Sequence, residues 1–98
     1  MNMRDIQKMQ QRLVKMQQEL EATQFTGTAG GGAVTITMSG KFEITAVKID
    51  PEAFNAEDIA ELEVMVLAAA KAVYEKVSDA QEKMSSSLTG GMKIPGLF

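Results

Sequence analysis

The first part of the chain carries apolar residues at the spacing of an α-helix. From Met3 to about Thr23 they recur every three or four residues, which is the pattern of an amphipathic helix or a coiled-coil seam. The apolar positions are Met3, Ile6, Met9, Leu13, Met16 and Leu20. The sequence therefore predicts a helix over about residues 3–24.

The pattern then changes to the alternation of β-strands. Residues 33–38 alternate with a period of two, Ser39-Gly40 is typical of a tight turn, and residues 41–49 return as a second strand. A glycine-rich turn is predicted at residues 27–32, and residues 25–28 can add a third, short strand. We therefore predict a small antiparallel sheet over about residues 25–49.

The strand at residues 41–49 has an irregular apolar phase. Phe42 and Ile44 fall in one phase of the strand. Val47 and Ile49 fall in the other. A slip of this kind near Thr45-Ala46 indicates either a β-bulge or a strand that is buried on both faces.

A second and longer helix follows a capped turn. Asp50 precedes Pro51, a residue favoured at the first helical position, so residues 51–54 can form one turn before Asn55 caps the next element. Apolar residues then recur every three or four positions over about residues 56–86. They are Ile59, Leu62, Val66, Ala69, Val73, Val77, Ala80 and Met84. Over residues 62–74 a second face is also apolar, which predicts burial of this helix on two sides.

These elements define an α+β fold, α-β-β(-β)-α, with a small antiparallel sheet and two long helices. The second helix would be about 45 Å long, whereas a compact chain of this size has a radius of gyration of about 13 Å. It would project from a monomer, so we expect a second copy to complete the core in a homodimer, the commonest closed assembly. We predict a single domain at residues 1–91 and a flexible tail at residues 92–98.

The amino-acid composition argues against catalysis and metal binding. The 98 residues include no His and no Cys, and the most apolar stretch, residues 62–74, contains Glu63 and Lys71 and is too short to span a bilayer. We therefore expect a cytoplasmic protein with no cofactor, no metal and no small-molecule substrate. Because general acid–base and nucleophilic catalysis have no obvious residues, an enzyme is the least expected class.

Two segments resemble ligand sites without meeting their requirements. Residues 27–32 have the glycine spacing of a phosphate-binding loop, but Ala33 and Val34 follow in place of Lys and Ser or Thr, and a strand follows instead of a helix. The acidic residues between positions 50 and 63 lack the ligand spacing of a calcium-binding loop. A flexible turn and a solvated helix start explain these segments better.

Charge is distributed unevenly along the chain. The net charge is −3, which alone argues against binding to nucleic acid. However, residues 1–17 carry four cations against Asp5 alone, and residues 18–98 carry six Lys against twelve acidic residues. The four cations collect in one sector of the first helix, roughly opposite its apolar stripe. We call this sector the basic ridge; it consists of Arg4, Lys8, Arg12 and Lys15.

The basic ridge has an ordinary alternative explanation, because any solvated helix face places charges opposite its apolar stripe. Such a face more often mixes Lys with Glu, whereas this one segregates positive charge, which favours a polyanion such as duplex DNA as the partner. Lys76 and Lys83 lie seven residues apart on one face of the second helix and can extend the positive surface. The predicted DNA-binding residues are Arg4, Lys8, Arg12, Lys15, Lys76 and Lys83.

The order and spacing of several short motifs resemble the YbaB/EbfC family along nearly the whole chain. The motifs are Met9-Gln10-Gln11, Met16-Gln17-Gln18-Glu19-Leu20, Phe25-Thr26-Gly27, the run from Gly32 to Gly40, Val47-Lys48-Ile49-Asp50-Pro51, Leu67-Ala68-Ala69-Ala70 and Gly91-Met92-Lys93-Ile94-Pro95-Gly96. The resemblance implies a bacterial nucleoid-associated protein: a tweezer-like homodimer that binds DNA and helps to organise the nucleoid.

Two alternatives stay open at the level of sequence. Two helices joined by a hairpin also resemble a prefoldin-type layout, in which helix tips hold apolar clients, so the chain could be a protein-interaction or chaperone-like module with no DNA role. The second alternative is an adaptor protein whose tail at residues 92–98 docks on a partner.

Overall fold

The structure is a computed structural model that describes residues 2–88. Its main elements form one α+β chain with a three-stranded antiparallel sheet in the order β1-β2-β3. They are α1 (Met3–Ala22), β1 (Gln24–Ala29), β2 (Val34–Ser39), β3 (Ile44–Ile49) and α2 (Ile59–Leu88), with 3-10 turns at Pro51–Ala53 and Ala56–Asp58. The predicted fold class is confirmed, and the optional third strand is present. The predicted tail at residues 92–98 lies outside the described residues.

Capping explains where the helices begin and end. The Asn2 side chain accepts a hydrogen bond from the Asp5 amide (2.9 Å), and the Thr23 hydroxyl donates to the Glu19 carbonyl (2.7 Å). These bonds satisfy backbone groups that the helix itself leaves open. Asn55 caps the 3-10 turn Ala56–Asp58 that leads into α2, and its backbone amide donates to the Asp58 carboxylate at 2.9 Å, as in a capping box.

A β-bulge in β3 explains the irregular apolar phase of that strand. Thr37 pairs with Ala46 and Met38 pairs with Ile44, so Thr45 is the extra residue. The bulge is confirmed, but burial of the strand on both faces is not found, because all six residues of β3 are exposed. The strand also begins later than predicted, since residues 40–42 form the turn that follows β2.

The predicted glycine turn at residues 27–32 is shorter in the structure. Gly27 is the middle of β1, while Gly30, Gly31 and Gly32 form the turn with positive φ values. A Cβ at Gly27 would stand 2.5 Å from the Ala69 carbonyl oxygen and 2.8 Å from the Val73 Cβ. Glycine is needed here because α2 crosses the sheet at backbone contact distance.

The core lies between α2 and one face of the sheet. Its buried members are Val34, Ile36 and Met38 of β2 with Ala69, Val73 and Val77 of α2. In the described chain, α2 packs on β1 and β2 and does not contact β3. The predicted burial of α2 on two sides is therefore not found among residues 2–88, because Val64 and Leu67 on its other side stay exposed.

The two helices give the molecule its elongated shape. The end of α2 continues past the sheet and packs against α1, where Met9, Leu13 and Met16 share a groove with Ser87. Overall extents are 66 × 26 × 17 Å. In the described part of the chain, no helix has the length and apolar character needed to cross a membrane.

Candidate nucleic-acid interface

The basic ridge lies on α1, the most exposed element of the structure. No residue of α1 is fully buried, and all four ridge residues are exposed. Among the described residues, none of the four has an ion-pair or side-chain hydrogen-bond partner. Their charges are therefore available to an external anion.

The ridge extends from the inter-helix groove to a projecting tip. Arg12 borders the groove that holds Met9, Leu13 and Met16, whereas Lys15 lies on a Gln-rich surface of α1. That surface includes Gln7, Gln10, Gln11 and Gln18. Arg4 and Lys8 lie on the N-terminal part of α1, where Met3 is 73% exposed. From Arg4 to Lys15 the ridge spans twelve residues, or about 16 Å of helix.

Lys76 and Lys83 occupy different surroundings from the ridge. The Lys76 ammonium donates to the Thr26 carbonyl at 2.7 Å, which holds it against β1. Lys83 shares a shallow groove with Asp79 and Glu82, so negative charge surrounds it. The structure does not bring these two residues into contact with the ridge.

The Lys76 contact also covers part of one sheet edge. Alternate residues of a strand turn their backbone groups to opposite sides, and because Thr23 bonds inward to Gly40, Thr26 turns its carbonyl outward. Lys76 thus occupies an acceptor on the outer edge of β1. In the described residues, no side chain bonds to the outer edge of β3.

An apolar surface of β3 is left uncovered beside α2. The bulge brings Ile44, Val47 and Ile49 to the same face as the core residues of β2. They are 55%, 53% and 40% exposed, because α2 stops short of this strand. Next to them, the Phe42 ring packs against the ring of Tyr74 on α2, with centroids 5.1 Å apart. We call these five residues the β3 face.

The sequence predicted that a second copy completes the core, but it did not locate the β3 face. Its signal in the sequence was the apolar phase slip in the strand after Ser39-Gly40. Without the bulge position, that slip could not show which residues share a face. A contiguous exposed apolar surface of this kind is typical of an interaction site.

Comparison with known proteins identifies the family. The profile of the YbaB/EbfC DNA-binding family matches residues 1–92. The chain belongs to this family. A nucleoid-associated protein of Pelotomaculum thermopropionicum is 43% identical over 96 residues, which cover 98% of this chain and 91% of that protein. A nucleoid-associated protein of Dictyoglomus turgidum is 40% identical over 97 residues, which cover 98% and 93% of the two chains.

The fold of this YbaB/EbfC protein is also found in a crystal structure. An uncharacterized protein from Helicobacter pylori superposes with a TM-score of 0.74 at 18% identity, covering 91% of this chain and 98% of that one. At this identity the likeness concerns the fold alone. YbaB/EbfC is a DNA-binding family and not an enzyme family, and the two relatives are named for association with the nucleoid.

Proposed function

We propose that this YbaB/EbfC protein is a homodimer that binds duplex DNA in the cytoplasm through its basic ridges, with little sequence preference. In this way it would influence nucleoid organisation and gene expression. The observation that carries the proposal is the run of four exposed cations along one sector of a projecting helix, none of them paired with another described residue. Two ridges would present eight positive groups to the phosphates. Lys76 and Lys83 would contribute less, because Lys76 is bonded to β1 and Lys83 lies among acids.

The β3 face supports the dimer. Val34, Ile36 and Met38 are covered by α2, but the neighbouring β3 residues on the same face have no cover from the described part of this chain. A two-fold axis beside β3 would place the same surface of a second copy on it, and each copy would cover the other. Such a contact buries apolar area that costs free energy while exposed to water.

Weak sequence preference follows from the kind of contact that the ridge offers. Arg and Lys on the outside of a long helix reach phosphate oxygens, and phosphate contacts fix a protein on the duplex without specifying its sequence. Duplex DNA carries a charge about every 1.7 Å along its axis, so any sequence provides partners along the ridge.

The proposal is tested by titrating two labelled duplexes of equal length and unrelated sequence with the protein at low salt. Fluorescence anisotropy measures the Kd for each duplex, and light scattering measures the mass of the free protein. We expect a dimer and two Kd values within about threefold of each other. A monomer, or a preference of a hundredfold for one duplex, would contradict the proposal.

The chaperone-like alternative has one observation in its favour. Met3, Ile6 and Met9 are exposed on the N-terminal part of α1, and such an apolar tip could hold a client protein. Binding of this kind buries apolar surface and persists at high salt, whereas phosphate binding is lost. Salt dependence therefore separates the two functions.

A further inference from the structure

The C-terminal end of α1 is held against the turn that follows β2. Within the described residues, α1 contacts only β2 and α2. The groove with the end of α2 begins at Met9, and the contact with the turn after β2 lies at Leu20. At the base, the Gly40 amide donates to the Thr23 carbonyl at 3.1 Å, directly after the end of α1. This junction, together with the groove that α1 forms with the end of α2, sets the direction of α1.

Gly40 permits an approach that no other residue would allow. A Cβ at this position would overlap the Leu20 carbonyl oxygen and stand 2.5 Å from the Leu20 carbonyl carbon. The turn after β2 is therefore in backbone contact with the last turn of α1. The Gly40 backbone is buried, so its carbonyl group needs an internal partner.

Gln81 of α2 supplies that partner. Its side-chain Nε2 donates to the Gly40 carbonyl oxygen at 2.7 Å, across 41 positions of the sequence. The bond is partly buried, which strengthens it relative to an exposed one. Gly40 thus joins α1 through its amide and α2 through its carbonyl.

We propose that Gln81 is a positioning residue for DNA binding, because its bond to Gly40 fixes the angle of α1 and with it the placement of the basic ridge. This inference rests on the proposed function. Arg4 lies sixteen residues before Leu20, about 24 Å along the helix, so a rotation of about 10° at the base moves it by about 4 Å. A shift of that size separates an ion pair. In a dimer, binding of one ridge brings the second ridge close to the same duplex. If the angle of α1 is loosely held, the effective concentration of the second ridge at the duplex is lower.

The test compares Gln81→Met, which keeps the length of the side chain but has no donor, with the unaltered chain. Gln17→Ala is the control, because Gln17 is exposed and bonds only within α1. Since the chain has no Cys, spin labels at Gln7→Cys and Thr28→Cys report the angle of α1 to the sheet. Doubly labelled chains are mixed with a tenfold excess of unlabelled chains, so that each distance comes from one molecule.

We expect Gln81→Met to broaden or shift the distance distribution and to weaken DNA binding three- to tenfold, with neither change in Gln17→Ala. An unchanged distribution would overturn the inference, as would a broadened one with unaltered DNA affinity. Thermal unfolding of each variant checks that the core is intact. If the unaltered chain binds no DNA, the proposed function fails, while the distances still decide whether Gln81 sets the angle.

Discussion

The ring of Phe42 packs against the ring of Tyr74 from a left-handed backbone conformation, with φ at 64°. A bulky residue rarely adopts this conformation, and Asn tolerates it better. Replacing Phe42 with Asn should keep the turn and remove the ring from the β3 face. We expect the dimer Kd to rise about tenfold, because each copy would lose an apolar ring that the partner covers, and fully burying a Phe side chain contributes about 1.5–3 kcal/mol. Sedimentation equilibrium measures this Kd. Phe42→Tyr is the control, and equal Kd values for Phe42→Asn and the unaltered chain would remove Phe42 from the interface.

Val47 lies at the centre of the proposed dimer contact. A charge buried there without a partner costs several kcal/mol, so Val47→Asp should produce monomers at micromolar concentration. Lys48→Asp is the matched control, because Lys48 is the next residue of β3 and points to the opposite face of the sheet. Light scattering measures both masses. If Val47→Asp stays dimeric, the β3 face is not where the two copies meet.

Gly27 tests the packing of α2 on the sheet. An added methyl group would stand 2.5 Å from the Ala69 carbonyl oxygen, so one of the two backbones must move. We expect Gly27→Ala to lower the free energy of unfolding by about 1–3 kcal/mol, the usual cost of overpacking. Urea unfolding measures the change at a fixed protein concentration, with the exposed Thr28→Ala as the control. A loss below about 0.5 kcal/mol would show that the helix and the strand are further apart.

The elements were predictable from sequence because each depends on local periodicity and capping. The stripe from Met3 to Leu20 predicted α1, and Asn55 marked the 3-10 turn that leads into α2. The bulge also appeared, as a phase slip near Thr45. Such signals lie within a few residues of the structure they determine. They can therefore be recognised without knowledge of the tertiary fold.

The contacts that join distant segments were not predictable. From sequence, Gly27 looked like part of a glycine-rich loop. Only the close crossing of α2 explains why a glycine lies inside β1. Lys76 looked like part of a charged surface until its bond to Thr26 placed it on a sheet edge. Gln81 gave no signal at all, since its partner Gly40 lies 41 positions away.

The two groups of predicted DNA contacts should differ in importance. Arg12→Glu with Lys15→Glu reverses two charges of the ridge, and Lys76→Glu with Lys83→Glu reverses the same number on α2. We expect the first pair to weaken binding to unrelated duplexes by similar factors of at least tenfold, with the dimer intact, and the second pair to weaken it several-fold less. Anisotropy titrations measure the Kd of each double variant for two unrelated duplexes, and each value is compared with that of the unaltered chain. An equal or greater loss from the α2 pair would place the DNA on α2 instead of α1.

The most direct test of the central claim is the dependence of DNA affinity on salt. Each phosphate contact on duplex DNA adds about 0.9 to the slope of log K against log salt concentration, so one to two ridges predict a slope of about −3.6 to −7. Anisotropy titrations of one duplex from low to high salt yield this slope. A slope in that range, made shallower by Arg12→Glu with Lys15→Glu, is the predicted result. Binding that ignores salt, or a dimer that does not bind at low salt, would contradict the account.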